Sequence, residues 1–205
     1  GNKNITLEPG NQIELSGEKL NHIHEACAES QDYLFELRQV TKKLDISIVS
    51  TGFDPISKLN EIPNNPKQRY KLMTKDMPLG GELSLDMMYR TCGTQLNIDY
   101  ESEEDFVKKF KVVNSIAPIS IALFANSSIV EKKNSNYLSY RSKVWQNTSR
   151  GGLPKVFFEE LNFDKYADFI MSFPILFIQE NHILIGHIVC GLVEREMFPD
   201  SVSAN

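Results

Sequence analysis

Leu7-Glu8-Pro9-Gly10-Asn11-Gln12-Ile13-Glu14-Leu15-Ser16 is the stretch from which the rest of the chain is read. With a period of two, Ile5, Leu7, Ile13 and Leu15 fall on one face and Glu8, Gln12, Glu14 and Ser16 on the other. The stretch therefore predicts a strand with an apolar side and a side lined by carboxylates. Pro9-Gly10 breaks the ladder and predicts a bulge that re-aims a side chain. Two acids on one face repel each other, and two readings follow. The pair is part of a site for a hard divalent cation such as magnesium, which takes oxygen ligands and keeps water and phosphate oxygens, or it is the solvated face of an edge strand.

Around this stretch lie 205 residues, 41% apolar and 24% charged, ordinary proportions for a globular chain with a real core. The formal charge of −5 speaks against a nucleic-acid surface. The longest apolar run, residues 116–125, is broken by Pro118, so no membrane span is expected. The opening Gly1-Asn2-Lys3-Asn4 lacks the apolar core of a signal peptide. Cys27, Cys92 and Cys190 are odd in number and far apart, the pattern of reduced, buried thiols in a reducing compartment. His22 and His24 stand two apart on a predicted helix, point to different sides and cannot chelate together.

Leu20, Ile23, Cys27, Leu34, Leu37, Val40 and Leu44 recur at helical spacing and predict one amphipathic helix over 17–45, capped by Ser16. A short buried strand is expected over 46–50, a long ordered loop rich in Pro and Asn over 51–67, and a short helix from Arg69 to Asp76. Residues 85–100 read as a second strand, with Tyr89, Thr91, Gln95, Asn97 and Asp99 on its polar face and Met88, Cys92, Leu96 and Ile98 packed inward. Two such strands would form a cradle with a polar interior. Ser102, with Asp105 three residues on, predicts a helix start; Phe106, Phe110, Val113 and Ile116 form its core stripe, and Pro118 restarts it as a second helix to Asn126. A helix over 163–173 and a hairpin of 176–179 with 182–185 complete the reading. Elements mixed without strict βαβ alternation predict an α+β fold.

No Walker-type loop and no dinucleotide glycine motif occurs. Arg150-Gly151-Gly152 is either a phosphate contact or a plain hinge. Arg69, Arg90 and Arg141 stand near element ends, where an arginine fork grips a carboxylate or phosphate or else makes a surface ion pair.

Several motifs agree in order and spacing: Leu7-Glu8-Pro9-Gly10-x-Gln12-x-Glu14-Leu15-Ser16-Gly17, Cys27-Ala28-Glu29, Pro66-Lys67-x-Arg69-Tyr70, Leu85-Asp86-Met87-Met88-x-Arg90-Thr91-Cys92, Gln95-x-Asn97-x-Asp99, Leu123-Phe124-Ala125-Asn126-Ser127 and Leu138-Ser139-x-Arg141-Ser142. Together, over residues 5–185, they closely resemble the plant and proteobacterial type of glutamate–cysteine ligase. That resemblance implies a glutamine synthetase-like catalytic domain: an antiparallel sheet cradle with flanking helices, holding magnesium ions between nucleotide and substrate. It implies ATP-dependent ligation of the γ-carboxylate of glutamate to cysteine through an acyl phosphate, the first step of glutathione synthesis, in the cytoplasm or, in a plant-type host, the plastid stroma. By the same resemblance Glu8, Glu14 and Gln95 would hold metal; Arg69, Arg141, Trp145, Thr94 and Asn97 would bind substrate; and Arg150 and Gly151 would contact the nucleotide. Glutamate, cysteine and ATP would be the partners, with no nucleic acid or membrane.

The departures from that family are specific. The stretch between Trp145 and Leu153 is shorter by about three residues than the family pattern. Gly93 and Leu176 stand where the plant sequences carry a threonine and a tyrosine. Residues 186–205 do not resemble the family and are set apart from the 1–185 catalytic portion as a tail. A preceding strand with paired glutamates and a further C-terminal portion are absent, so the site is expected to be incomplete and the chain alone inactive or badly impaired. Two rival functions remain: another ATP-dependent carboxylate–amine ligase of the same fold with a different acceptor, and a non-catalytic descendant that binds glutamate or a protein partner.

Overall fold

In the computed structural model, which describes residues 4–148, 158–172, 177–179 and 182–184, the opening stretch folds back on itself. Strand β1 (Asn4–Leu7) pairs antiparallel with β2 (Ile13–Ser16), Thr6 opposite Glu14 and Leu7 opposite Ile13. The Glu8 N–H donates to the Gln12 carbonyl at 2.9 Å and the Asn11 N–H to the Glu8 carbonyl at 2.9 Å. Asn11 takes the left-handed conformation at φ 62°. This is a three-residue hairpin loop, a β-turn followed by one left-handed residue. Pro9-Gly10 therefore makes the turn itself, and the residue out of step with the ladder is Asn11. Ser16 stays in the strand and caps nothing. Helix α1 (Ile23–Leu44) begins later than expected, with His22 as its N-cap and no side-chain cap bond.

Two segments clamp the hairpin loop. From one side, the Asn65 N–H donates to the Pro9 carbonyl at 2.9 Å, and the side chains of Asn65 and Lys67 each donate to the Leu7 carbonyl at 3.3 Å. The Asn11 amide donates to the Pro63 carbonyl at 2.8 Å. The long 51–67 loop is thus ordered by its contacts with the turn. From the other side comes α3 (Ser84–Arg90), preceded by α2 (Gln68–Asp76) and a 3₁₀ turn (Met77–Gly80). The Gln12 amide nitrogen reaches the Thr91 carbonyl at 3.2 Å and the Met88 carbonyl at 3.5 Å, taking up acceptors that the end of α3 leaves free. Gly10 lies so close to the Tyr89 carbonyl that any Cβ there would collide with it, which is why this turn position has no side chain.

Residues 85–90 are helix, not strand, and 92–99 form no regular element, so the second wall of the expected cradle is not present as a strand among the described residues. The physical reason is visible in α3. Asp86 and Arg90 pair across one helical turn at 2.8 Å, while Met87 points into one cluster with Phe53 and Val144, and Met88 and Tyr89 into another with Tyr70. What remains of sheet pairing is a single antiparallel bridge between Phe53 and Thr91, flanked by the bonds Cys92 N–H to Gly52 carbonyl (3.1 Å) and Asp54 N–H to Arg90 carbonyl (2.8 Å). The short strand expected over 46–50 does not form.

Helix α4 (Glu103–Leu123) is capped as its sequence predicts, Ser102 Oγ accepting from the Asp105 N–H at 3.2 Å. It runs unbroken through Pro118, where a restart had been expected. A two-residue hairpin, β3 (Ile129–Val130) with β4 (Lys133–Asn134), leads into α5 (Tyr140–Gln146), whose N-cap is Ser139. Helix α6 (Phe163–Met171) packs its Phe163 and Tyr166 rings on Phe106 of α4. Strands β5 (Phe177–Gln179) and β6 (His182–Leu184) pair as the expected hairpin. The sheets described are therefore three two-stranded ones in a mixed helix-and-strand fold. The apolar stripes of α1 and α4 are not core among the described residues: Leu34, Val40 and Leu44, and Val113 and Ile116, are exposed, and only Phe106 of α4 is buried. No described helix is long and apolar enough to cross a membrane.

Arg90 is 4% exposed, and Asp86 is its nearest anion. Replacing Asp86 leaves a buried guanidinium with Glu131, at 3.6 Å, and the more remote charge of Asp54 to balance it. Asp86→Ala should cost about 3 kcal/mol of unfolding free energy in a urea titration, and adding Arg90→Met to that variant should recover part of the loss.

Candidate functional site

Glu8 and Glu14 lie on one face of the hairpin because strand alternation puts Thr6, Glu8, Gln12 and Glu14 on the same side of the paired ladder. Arg69, on the first turn of α2, lies close enough to Glu14 to act on its charge. Its Nη2 donates to the Tyr70 hydroxyl at 2.9 Å, and its guanidinium sits 4.8 Å from the centre of the Tyr70 ring. Tyr70, 1% exposed, donates in turn to the Leu7 carbonyl at 3.4 Å. The half-buried Arg69 is thereby tied to β1 through a buried phenol, with its Nε unpartnered among the described residues. Glu14 keeps an open side to solvent, yet burial of its carboxyl and, after that, the Glu8 carboxylate push its pKa up, with Arg69 opposing them.

A second centre forms where α5 meets the 52–54/90–92 seam. Ser127 Oγ accepts from the Arg141 N–H at 3.1 Å and fixes the start of α5. The Arg141 side chain then runs between Gly52 and Gly93 and ends 5.5 Å from the centre of the Trp145 ring, a cation–π contact one turn along the same helix. No carboxylate pairs with Arg141 among the described residues, and both its Nε and the Trp145 indole N–H are buried without a partner. Burial lowers the pKa of Arg141. Arg90 also has its Nε and Nη2 buried without a hydrogen-bond partner among the described residues, but it differs in charge: Asp86 and Glu131 pair with it and it lies 4.5 Å from the Phe53 ring centre, so it is a structural cation.

The structure thus groups Glu8 with Glu14 and Arg69, and Arg141 with Trp145. Thr94, Gln95 and Asn97 are exposed on the irregular 92–99 stretch rather than on the polar face of a strand. Arg150 and Gly151 lie outside the described residues. No cluster of three or more His, Cys, Asp or Glu able to hold a metal occurs among the described residues; Glu8 and Glu14 are two carboxylates on one face of the hairpin.

Two further corrections concern reactive side chains. Cys27 and Cys92 are exposed free thiols, not buried ones. Cys92 is exposed as a residue, but its sulfur sits beside Arg141 with enough surrounding protein that desolvation outweighs that cation and raises the thiol pKa, so Cys92 is not an activated nucleophile. The His22 and His24 rings do not diverge; they meet edge-on with centroids 5.9 Å apart because His22 precedes the helix. Gln12 and Gly52 escaped sequence reasoning, since their roles rest on partners 76 to 79 residues away for the amide and on the distant Arg141 side chain for the glycine. The Gln12 spacing with Glu8 and Glu14 was the available signal.

Two acids beside one arginine, and a second arginine with no counter-charge, suit a protein that binds a small anionic ligand together with a hard cation. Comparison with known proteins gives that class a family. The family model Glutamate-cysteine ligase family 2 (GCS2) matches residues 1–190, and the chain belongs to this family. It is 41% identical over 184 residues to the chloroplastic glutamate–cysteine ligase A of Oryza sativa subsp. japonica, covering 88% of this chain and 37% of the relative. Against the chloroplastic enzyme of Nicotiana tabacum it is 42% identical over 181 residues (87% and 35%), and against that of Arabidopsis thaliana 41% over 180 residues (86% and 34%). The chain therefore spans about a third of the length of the curated relatives it matches.

The raised pKa of Glu14 has a consequence for stability. A carboxyl that ionises less readily folded than unfolded costs nothing below its unfolded pKa. The penalty grows through the interval up to the raised folded value and is complete above it. Glu14→Gln should therefore stabilise the metal-free protein at pH 7, and urea midpoints measured against pH should show the gain vanishing below about pH 4.

Proposed function

We propose that this chain supplies part of the catalytic site of an ATP-dependent glutamate–cysteine ligase, with Arg141 and Arg69 holding the carboxylates of glutamate and Glu8 and Glu14 holding magnesium. The family uses ATP; magnesium and the residue roles are the reading offered here. The observation that carries it is Arg141: a guanidinium packed between two glycines and an indole, with its Nε buried and no anion beside it among the described residues. A cation taken out of water without a partner costs several kcal/mol, and a carboxylate ligand recovers that cost through charge-assisted, bidentate hydrogen bonds. Family membership makes glutamate the natural candidate for that ligand.

The fold around the two centres is read as a portion of a glutamine synthetase-like cradle, with Thr94, Gln95 and Asn97 becoming site residues when the 92–99 stretch takes up a strand position against polypeptide of the longer protein. Magnesium bound at Glu8 and Glu14 would supply charge neutralisation for the phosphates of ATP. What this chain's own residues do is bind and orient: the arginines hold glutamate so that its γ-carboxylate faces the nucleotide, and Trp145 closes one wall beside it. In the longer protein the activated γ-carboxyl would meet the amine of cysteine, giving γ-glutamylcysteine.

Calorimetric titration of glutamate tests the reading. Arg141→Met should weaken glutamate binding by one to two orders of magnitude, the value of a lost charge-assisted pair, with Arg141→Lys falling between it and the unaltered protein. Unchanged affinity in Arg141→Met would contradict the assignment.

A further inference from the structure

The path of the Arg141 side chain is set by two backbone positions that have no side chain of their own. A Cβ on Gly52 would meet Asn126 Oδ1 at 2.7 Å and Arg141 Cδ at 3.2 Å; a Cβ on Gly93 would meet Arg141 Nη2 at 2.8 Å, Cζ at 3.4 Å and Nε at 3.6 Å. Gly52 therefore bounds the stem of Arg141 and Gly93 its head. Neither glycine has a left-handed φ, so backbone conformation does not require glycine at either place. At Gly52 the space beside the backbone is taken by Asn126 and the Arg141 stem; at Gly93, where the plant sequences carry a threonine, it is taken by the Arg141 guanidinium, which a side chain there would displace. The two positions are held in register by the hydrogen bond from the Cys92 N–H to the Gly52 carbonyl (3.1 Å) and by the Phe53–Thr91 bridge. On the remaining side stands Trp145, whose ring centre is 5.5 Å from the guanidinium.

We infer that Gly52 and Gly93 form a sleeve that fixes the guanidinium of Arg141, and that Gly93 is a positioning residue which sets how an anionic ligand's carboxylate meets that fork. This inference rests on the proposed role of Arg141 for its ligand, though not for its geometry. A methyl group at position 93 cannot share the space with Nη2; the guanidinium is the movable end of a flexible side chain, so it is the part that shifts. Two parallel N–H···O bonds tolerate little displacement, because the planar fork must stay coplanar with the carboxylate. A shift of a few tenths of an ångström to one ångström would break one of the pair while leaving the charge in place. Gly93 thus acts on affinity through Arg141 without touching the ligand.

Trp145 is the sole tryptophan of the chain and reports the guanidinium directly. Its emission is to be recorded for the unaltered protein, Gly93→Ala, Gly93→Ser and Arg141→Met, each also titrated with glutamate by calorimetry and melted to confirm folding. The sleeve predicts that both position-93 variants shift the emission maximum toward the Arg141→Met value and weaken glutamate binding about tenfold. Emission indistinguishable from the unaltered protein in both variants overturns it, as does full glutamate affinity in both when Arg141→Met has lost it. Shifted emission together with unchanged glutamate binding in all three variants, Arg141→Met included, upholds the sleeve and overturns glutamate as the ligand.

Discussion

The arrangement depends on one buried charge. Arg90 closes α3 in a position that is almost fully covered, and a guanidinium can be placed there only if its charge and its flat faces are both met. Asp86 meets the charge one turn earlier on the same helix, Glu131 adds to it from the β3–β4 turn, and the Phe53 ring covers a face. Each partner fixes a different piece of chain. Asp86 makes 84–90 helical, Phe53 brings the 52–54 segment alongside 90–92, and Glu131 draws in the hairpin that precedes α5. The bridge and the two backbone bonds at that seam then decide where Gly52, Cys92 and Gly93 stand, and with them the channel occupied by Arg141.

The three arginines illustrate how environment separates structure from function within one residue type. Arg90 has its counter-charges inside the fold. Arg69 faces Glu14 and is steadied by Tyr70, so it shares its charge between the acidic hairpin and whatever approaches it. Arg141 has an aromatic wall and two glycines but no described anion. The hairpin carries the opposite imbalance: Glu14 is harder to ionise because its carboxyl is partly buried and, after that, because Glu8 stands near it. Excess negative charge at the hairpin and an arginine without a described anion are the two imbalances that the proposed cation and carboxylate ligand would offset.

Legibility in the sequence followed the range of the forces involved. The Ser102 cap, helix α2, helix α6 and the final hairpin rest on neighbours within a few residues, and their sequence signals were sufficient. So was the placement of Glu8 and Glu14 on a common face, which needs only the two-residue period and the turn between them. The 85–90 segment was misread because the two-residue alternation of 91–99 was carried back onto it, with Tyr89 on a polar face, whereas Met87, Met88 and Tyr89 are all buried on a helix packed on two sides; the Asp86–Arg90 spacing was the local hint. Pro118 was misread as a break because a proline inside a helix is a matter of context. Gln95, Thr94 and Asn97 drew their expected roles from a resemblance that gives identities without the strand that would present them, while Arg141 and Trp145, one turn apart on α5, needed no distant partner to meet.

The most direct test is side-chain NMR of the arginine Nε–H groups, which observes the fork itself rather than its effect on turnover. On adding glutamate, the account predicts that the Arg141 and Arg69 Nε–H resonances move together and saturate at one ligand per chain, while the Asp86-paired Arg90 resonance stays in place and alanine, which lacks the γ-carboxylate, leaves Arg69 and Arg141 less than half shifted at any concentration. Arg141 and Arg69 resonances that stay fixed at millimolar glutamate, or that move only as far as Arg90 does, would contradict it.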